Sequence, residues 1–408
     1  MTTPLDATLR GFPTGGSADE ATGGTHFPAD GALQLPMITL DGPGFDANTR
    51  LMMDHVAQFG AKLAPHAKTP MSPLLAQRLL DAGAWGTTVA DIRQAAVLLD
   101  AGVTRLILAN GIGGAAAARR LAALLKGYPG AEFHIFIDSV ETYEALCVAW
   151  DETLPPLGLL VEIGTDRGGI RRDEDALALA RRILAEGRLG LSGLAAYEGA
   201  SAVADPVESQ RRIDALLTRS KALFAQIREA AGTDAPLMLS VGGSAWFDRV
   251  LALLGDLVQA PNTDLVLRSG ALYFHDHGVY ERGLADMQKR GGHPEGAFIP
   301  TLRLWAEVLS TPEEGLAICG MGLRDVAIDQ DLPIALRLWR DGAPVADIGV
   351  TVTKLNDQHA FLHHAGLRPG DVIEFGISHP CTCIDRHSVL WELDAAGRVI
   401  AAIKTRFG

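Results

Sequence analysis

Apolar positions along the first two-thirds of the chain gather into short runs of five to seven residues, separated by longer amphipathic stretches. The runs at 61–65, 85–89, 105–109, 133–138, 157–163, 191–197, 236–241 and 264–268 do not alternate with polar residues. Unbroken apolar runs of this length predict strands buried on both faces. The stretches between them carry helix start and stop signals. Ser72 can cap a helix with Pro73 at its first position and Gly83 at its end; Asp91 can open the next, whose Ile92, Ala95, Ala96 and Leu99 share one face before Gly102. Further helices are predicted at 113–126, 139–152, 173–187, 207–231 and 244–254. Eight strand–helix units predict an α/β fold built on a (β/α)8 barrel of the TIM type. An open doubly wound sheet fits less well, because no GxGxxG follows the first strand.

Beyond residue 290 the pattern changes. Segments 299–309, 334–339, 345–353, 371–377 and 388–404 predict short strands, separated by turns such as Asp341-Gly342, Pro369-Gly370-Asp371 and Ala395-Ala396-Gly397. This is the signature of a smaller, mainly antiparallel β domain. Residues 1–35 show little periodicity and 37–41 form a short strand. The expected organisation is an arm over 1–40 packing with the β domain, a barrel over 41–288 and the β domain over 289–408.

Composition narrows the function classes. With 36 Lys and Arg against 49 Asp and Glu, the chain carries a formal charge of −13. Such acidity gives no electrostatic reason to bind nucleic acid or an anionic membrane. No apolar run approaches the ~20 residues of a membrane helix. The N-terminus lacks a basic stretch followed by an apolar core, so a cytoplasmic protein is expected. Four cysteines in a chain of 408 residues are not a disulfide framework.

Barrel enzymes work at the C-terminal ends of their strands, with phosphate bound after strands seven and eight. Here strand seven runs into Ser240-Val241-Gly242-Gly243-Ser244 and strand eight into Arg268-Ser269-Gly270-Ala271-Leu272-Tyr273. Small residues let backbone N–H groups approach an anion, and a helix N-terminus adds a favourable dipole. Each turn alone could simply end a strand; together, at these two strands, they form a phosphate cup. The first strand ends in Pro65-His66-Ala67-Lys68-Thr69-Pro70. A lysine at the rim of a barrel with a phosphate cup suggests pyridoxal phosphate (PLP) held as a Schiff base, although a loop lysine alone is usually a solvated charge.

The chain resembles the metal-dependent D-serine dehydratase and D-threonine aldolase family, fold-type III PLP enzymes with an alanine-racemase-like barrel. The resemblance runs from about residue 35 to 404. It rests on PHAKTP at 65–70, GAWGTTVADIRQA at 83–95, RLILAN at 105–110, VEIGTDRGGI at 161–170, LAAYEG at 194–199, SVGGS at 240–244, RSGALYFHDHGVY at 268–280 and GDVIEFGISHPCTCID at 370–385. It implies that Lys68 binds PLP and returns as the base for the α-proton, with His66 near the cofactor. Arg167 is implied to face the pyridine nitrogen and Tyr197 to lie against the ring. Gly242, Gly243, Ser244, Ser269, Gly270 and Tyr273 complete the cofactor site. Gly164 and Ala200 depart from the family pattern, where an acidic residue and a histidine are usual, which bears on the substrate.

His379-Pro380-Cys381 follows the strand expected at 371–377. In extended chain, residues two apart point the same way, so an imidazole and a thiolate would converge on one ion. That donor pair suits Zn2+, or another divalent metal such as Mn2+ or Mg2+, and leaves coordination positions open for substrate. Cys383 would share that face as a third ligand or a spare. His359 is a further candidate to approach the metal. His275, Asp276 and His277 read as a polar rim, and His363 and His364 as surface residues. The expected function is a dehydratase (ammonia-lyase) converting a D-3-hydroxy amino acid, D-serine-like, to a 2-oxo acid and ammonia. The alternative is a D-threonine-type aldolase giving glycine and an aldehyde. A cysteine at the second ligand position resembles the dehydratase branch. Fold-type III enzymes in general lead us to expect a homodimer.

Overall fold

The computed structural model describes residues 5–346 and 349–407. Residues 1–4 of the expected arm, 347 and 348 within the strand expected at 345–353, and residue 408 lie outside the described residues. In chain order, β1 (Met37–Asp41) precedes eight barrel strands. These are β2 (Lys62–Leu63), β3 (Thr87–Val89), β4 (Arg105–Leu108), β5 (Glu132–Ile137), β6 (Leu157–Glu162), β7 (Gly190–Ala195), β8 (Leu237–Ser240) and β9 (Thr263–Leu267). They form one parallel sheet in the order β2-β9-β8-β7-β6-β5-β4-β3. A parallel bridge between His66 and Thr88 closes it into a barrel, so the chain just before Lys68 is itself part of the wall. Ala64, Ile107, Phe136, Leu160, Ala195, Met238 and Val266 fill the barrel interior.

The helices follow their caps. The Asp91 carboxylate accepts the N–H of Gln94 at the start of helix Ile92–Asp100. Ser72 sits at the N-cap of helix Pro73–Asp81, but its hydroxyl makes no capping bond and is buried without a partner. Among the described residues no helix is long and apolar enough to cross a membrane.

The second sheet is mainly antiparallel, and β1 belongs to it rather than to the barrel. Its other strands are β10 (Leu302–Glu313), β11 (Leu316–Cys319), β12 (Ile334–Arg340), β13 (Ala343–Val345), β14 (Thr351–Leu355), β15 (Ala360–His363), β16 (Val372–Gly376), β17 (Val389–Leu393) and β18 (Val399–Lys404). The main path runs β13-β12-β16-β10-β1-β17-β18, with β11, β15 and β14 extending from β10. Only β1 and β17 pair in parallel on that path. The segment expected at 388–404, with its turn at Ala395-Ala396-Gly397, is a hairpin, β17 and β18. The described part of 345–353 is divided between β13 and β14. Phe12 and Leu9 of the N-terminal stretch bury against Trp305 and Trp391, and the Trp391 indole donates to the Arg10 carbonyl at 2.8 Å.

Candidate active site

The chain between β2 and Lys68 is pinned to β3: the Thr88 N–H donates to the Pro65 carbonyl and the Ala67 N–H to the Thr88 carbonyl. Lys68 is thereby carried to the barrel mouth. Its Nζ makes no hydrogen bond or ion pair among the described residues, yet its charge acts on its neighbours. His66 is buried, and burial, followed by Lys68 and Arg268, holds its imidazole well below the ordinary histidine range. His66 is thus neutral at neutral pH.

Two arginines reach the mouth. The Arg167 side chain is exposed on the loop after β6, with its guanidinium stacked 4.7 Å from the ring centre of Tyr197. Arg268 is buried at 6% exposure, donating to the Ser240 hydroxyl at 2.8 Å and the Ala196 carbonyl at 2.7 Å. Two buried carboxylates face them. Burial raises both Glu162 and Glu198 above the usual carboxylate range, against the pull of the arginines. With Lys68, the cations outnumber these carboxylates by one, which favours an anionic guest.

The two glycine turns are not equivalent. The N–H groups of Gly242 and Gly243 donate to the Glu198 carboxylate at 3.1 and 2.6 Å, so an internal anion already occupies this turn. At the β9 turn the N–H groups of Gly270 and Ala271 converge on the Ser244 hydroxyl, at 3.3 and 3.1 Å. A Cβ on Gly270 would stand 2.5 Å from the His66 carbonyl oxygen; only glycine lets the phosphate turn press against the lysine strand. The Ser269 hydroxyl donates to the Gly243 carbonyl at 2.9 Å and ties the two turns together. The structure does not bring the Tyr273 ring into this group: it packs on Phe45, with its hydroxyl buried and unpartnered. Unpaired amine, small-residue turns, excess positive charge and the Tyr197 ring fit PLP.

His379 and Cys381 stand over the same mouth, contributed by this same chain. The reason differs from the extended chain expected from sequence. His379 is extended (φ −158°, ψ 112°) and caps a short helix, Pro380–Ile384, with Pro380 in its first turn. Cys381 therefore lies on a helical turn, and its Sγ is 3.2 Å from the Thr69 hydroxyl beside Lys68. Burial pulls the His379 pKa down, but hydrogen bonds to Cys381 and Asp329 carry it to about 9. For Cys381 burial opposes ionisation, and His379, Thr69 and Lys68 overcome it, lowering the thiol pKa. An imidazole and an activated thiol side by side form a soft donor pair that fits Zn2+. Among the described residues no group of three or more His, Cys, Asp or Glu is placed to hold a metal; two donors leave coordination positions for substrate.

Cys383 is not on that face. It is buried, its Sγ directed to the Asp325 carbonyl at 3.9 Å, and burial pushes its pKa up to about 12. His363 is the last residue of β15, and His359 and His364 lie just before and just after that strand. Burial holds His275 and His277 at about 4. Asp276 accepts N–H bonds from Gly278, Tyr280 and Glu281, capping helix Val279–Lys289. That cap delivers Tyr280, a residue sequence reasoning missed, to an edge-on contact with the His379 ring, their centres 6.3 Å apart. Thr69, Glu198 and Asp329 were missed as well.

A cleft of about 1020 Å³ lies elsewhere, at the N-terminal ends of β5–β7, lined by Pro129, Trp150 and Arg188. Among the described residues that cleft holds no such cluster; the convergence of reactive groups marks the mouth as the site.

Comparison with known proteins agrees with this geometry. Residues 41–260 match the alanine racemase N-terminal domain, and residues 301–391 match a serine dehydratase domain. A D-threonine aldolase of an Arthrobacter species is 26% identical over 332 residues, 80% of this chain and 79% of that protein. A D-threo-3-hydroxyaspartate dehydratase of Delftia sp. (strain HT23) is 30% identical over 225 residues, 52% of this chain and 57% of that protein. The crystal structure of D-threonine aldolase from Filomicrobium marinum superposes with a TM-score of 0.73 at 24% identity, covering 92% of this chain and 95% of that one.

Proposed function

The chain belongs to the alanine racemase N-terminal-domain family and is a PLP-dependent lyase; from that premise we propose that it dehydrates a D-3-hydroxy amino acid, D-serine-like, to a 2-oxo acid and ammonia. The observation that carries the reading is the contact of Cys381 with Thr69, which brings one member of a soft donor pair against the residue that follows Lys68. PLP, when bound, supplies an electron-withdrawing ring that acidifies the α-proton of an amino acid. A divalent cation, when bound, supplies Lewis acidity toward an oxygen that gains negative charge.

The residues supply the rest. Lys68 Nζ is the amine for the cofactor and the base that takes the proton from Cα. The hydroxyl of Ser244 and the N–H groups of Gly270 and Ala271 hold the phosphate, and Arg268 and Arg167 offset its charge. The Arg167 guanidinium, which lies against the Tyr197 ring, cannot give up its proton, so it would face the pyridine nitrogen of PLP only as a donor. The Tyr197 ring orients the cofactor plane. Neutral His66 adds no competing cation beside Lys68. His379 and Cys381 hold the cation where a substrate β-hydroxyl leaves. The cysteine at the second donor position supports dehydration.

A second reading is favoured by one observation: the relative matching the larger share of this chain is an aldolase. A panel of D-serine, D-threonine, D-3-hydroxyaspartate and a β-aryl D-serine, with PLP and Zn2+, separates the two. Ammonia without aldehyde is the expected outcome. Aldehyde plus glycine would establish the aldolase, and neither product from any substrate would refute both.

A further inference from the structure

Asp329 lies in the segment between β11 and β12, fifty residues before His379. Its carboxylate makes two directed bonds. Oδ2 is 2.7 Å from His379 Nδ1, and Oδ1 accepts the Thr382 hydroxyl at 2.7 Å. One carboxylate thus grips the imidazole and the helical turn that carries Cys381. The Asp329 side chain is 40% exposed, and an ion pair so open adds little to folding. What the contact does fix is the imidazole: an acceptor on Nδ1 keeps a proton there and leaves only Nε2 to bind a cation. A carboxylate behind the ring also makes Nε2 a stronger donor.

We propose that Asp329 is a positioning residue for metal binding, holding the His379 imidazole in the orientation and tautomer in which Nε2 is the ligating atom. Thr382 supports it by fixing the carboxylate. The assignment rests on the reading of His379 and Cys381 as metal donors, and the test separates the two.

The measurement is Zn2+ affinity of the PLP-loaded full chain, by competition with a chromophoric chelator, for wild type, H379A, D329A, D329N and T382V. D329A is expected to bind Zn2+ about 10- to 100-fold more weakly, with an unchanged Tm in the metal-free protein and an unchanged PLP absorbance. D329N, which keeps an oxygen acceptor but loses the charge, falls between D329A and wild type, and T382V loses least. Wild-type affinity in both Asp329 variants would overturn the assignment while leaving the donor pair intact. Zn2+ uptake by H379A equal to wild type, or none by wild type, would overturn the donor reading and this inference with it. A second readout needs no variant at Asp329. In 15N-histidine-labelled, zinc-loaded wild type, long-range 1H–15N correlation should show His379 protonated at Nδ1 and metallated at Nε2. Metal on Nδ1 would overturn the proposal even if D329A failed to fold.

Discussion

The barrel has polar clusters at both ends, and they are built to opposite rules. At the N-terminal end, His134 bonds Ser192 through Nδ1 at 2.8 Å and Glu132 through Nε2 at 3.3 Å. Glu132 in turn accepts from Arg105 at 2.5 Å, and Arg105 donates to the Trp85 carbonyl at 3.0 Å while lying over the Trp85 ring. The contact between His134 and Ser192 passes over Gly158 of β6, where a Cβ would sit 2.3 Å from Nδ1 and 2.1 Å from Oγ. The groups of this end close on one another. At the C-terminal mouth, Lys68 has no bonded partner, Arg167 rests on a ring instead of a carboxylate, and Cys381 is held toward ionisation. One end spends its polar groups on stability and the other keeps them for a guest. A cleft of about 1020 Å³ opens at the satisfied end, so a cavity by itself is a poor guide to the reactive one.

Three experiments break or sharpen this contrast. The largest effect is expected from Lys68→Ala, which removes the proposed base and cofactor amine. Turnover should fall by at least about 10²- to 10⁴-fold, while Tm stays within a few degrees. A large loss of Tm would mean that the mouth lysine is structural after all. Gly158→Val should do the reverse. It forces a side chain between His134 and Ser192 and should cost about 1–3 kcal/mol of stability, with turnover per folded molecule retained; chemical denaturation and active-site titration read the two. The smallest effect is the pH response of cofactor-free protein. The pKa of His66 is depressed by folding, so its contribution is present above about 6.5 and is lost as pH falls below that, with a slope of at most about 1.4 kcal/mol per pH unit. The pKa of Glu132 is lowered from 4.5 to about 2, chiefly by His134 and then by Arg105 against burial. Its contribution persists down to 4.5 and is lost between there and 2, with a shallower slope because the side chain is 45% exposed. His66→Gln should make the first limb shallower without removing it, because burial depresses His275 and His277 as well, and Glu132→Gln should flatten the second. Both limbs unchanged would remove the electrostatic difference between the ends.

The barrel was legible because its signal is local. Each strand is an unbroken apolar run buried on both faces, and several helices carry start or stop signals, so the eight strands and the helices after seven of them could be placed within a few residues; the helix Val279–Lys289 after the eighth strand was not expected. Lys68 and the His379–Cys381 pair were singled out through the family resemblance of their motifs, because a loop lysine and an isolated H-x-C pattern carry little by themselves. What escaped depends on contacts between distant parts of the chain. Thr69 meets Cys381 across 312 positions, and Asp329 meets His379 across fifty; neither leaves a periodic trace. Glu198 reads as an ordinary glutamate until the fold closes it over the Gly242-Gly243 turn. The short helix after His379 did have a signal, Pro380 in a first-turn position, which the extended reading passed over. That error also put Cys383 on the wrong face. β1 is short and apolar like the barrel strands, and nothing in Met37–Asp41 alone assigns it to the second sheet.

The central claim is that the lysine at the mouth is the cofactor amine, and borohydride reduction of the PLP-loaded protein followed by peptide mass mapping tests it most directly. The account predicts a single pyridoxyl adduct, on the peptide that carries Lys68. An adduct on any other lysine, or none after reduction, would contradict it.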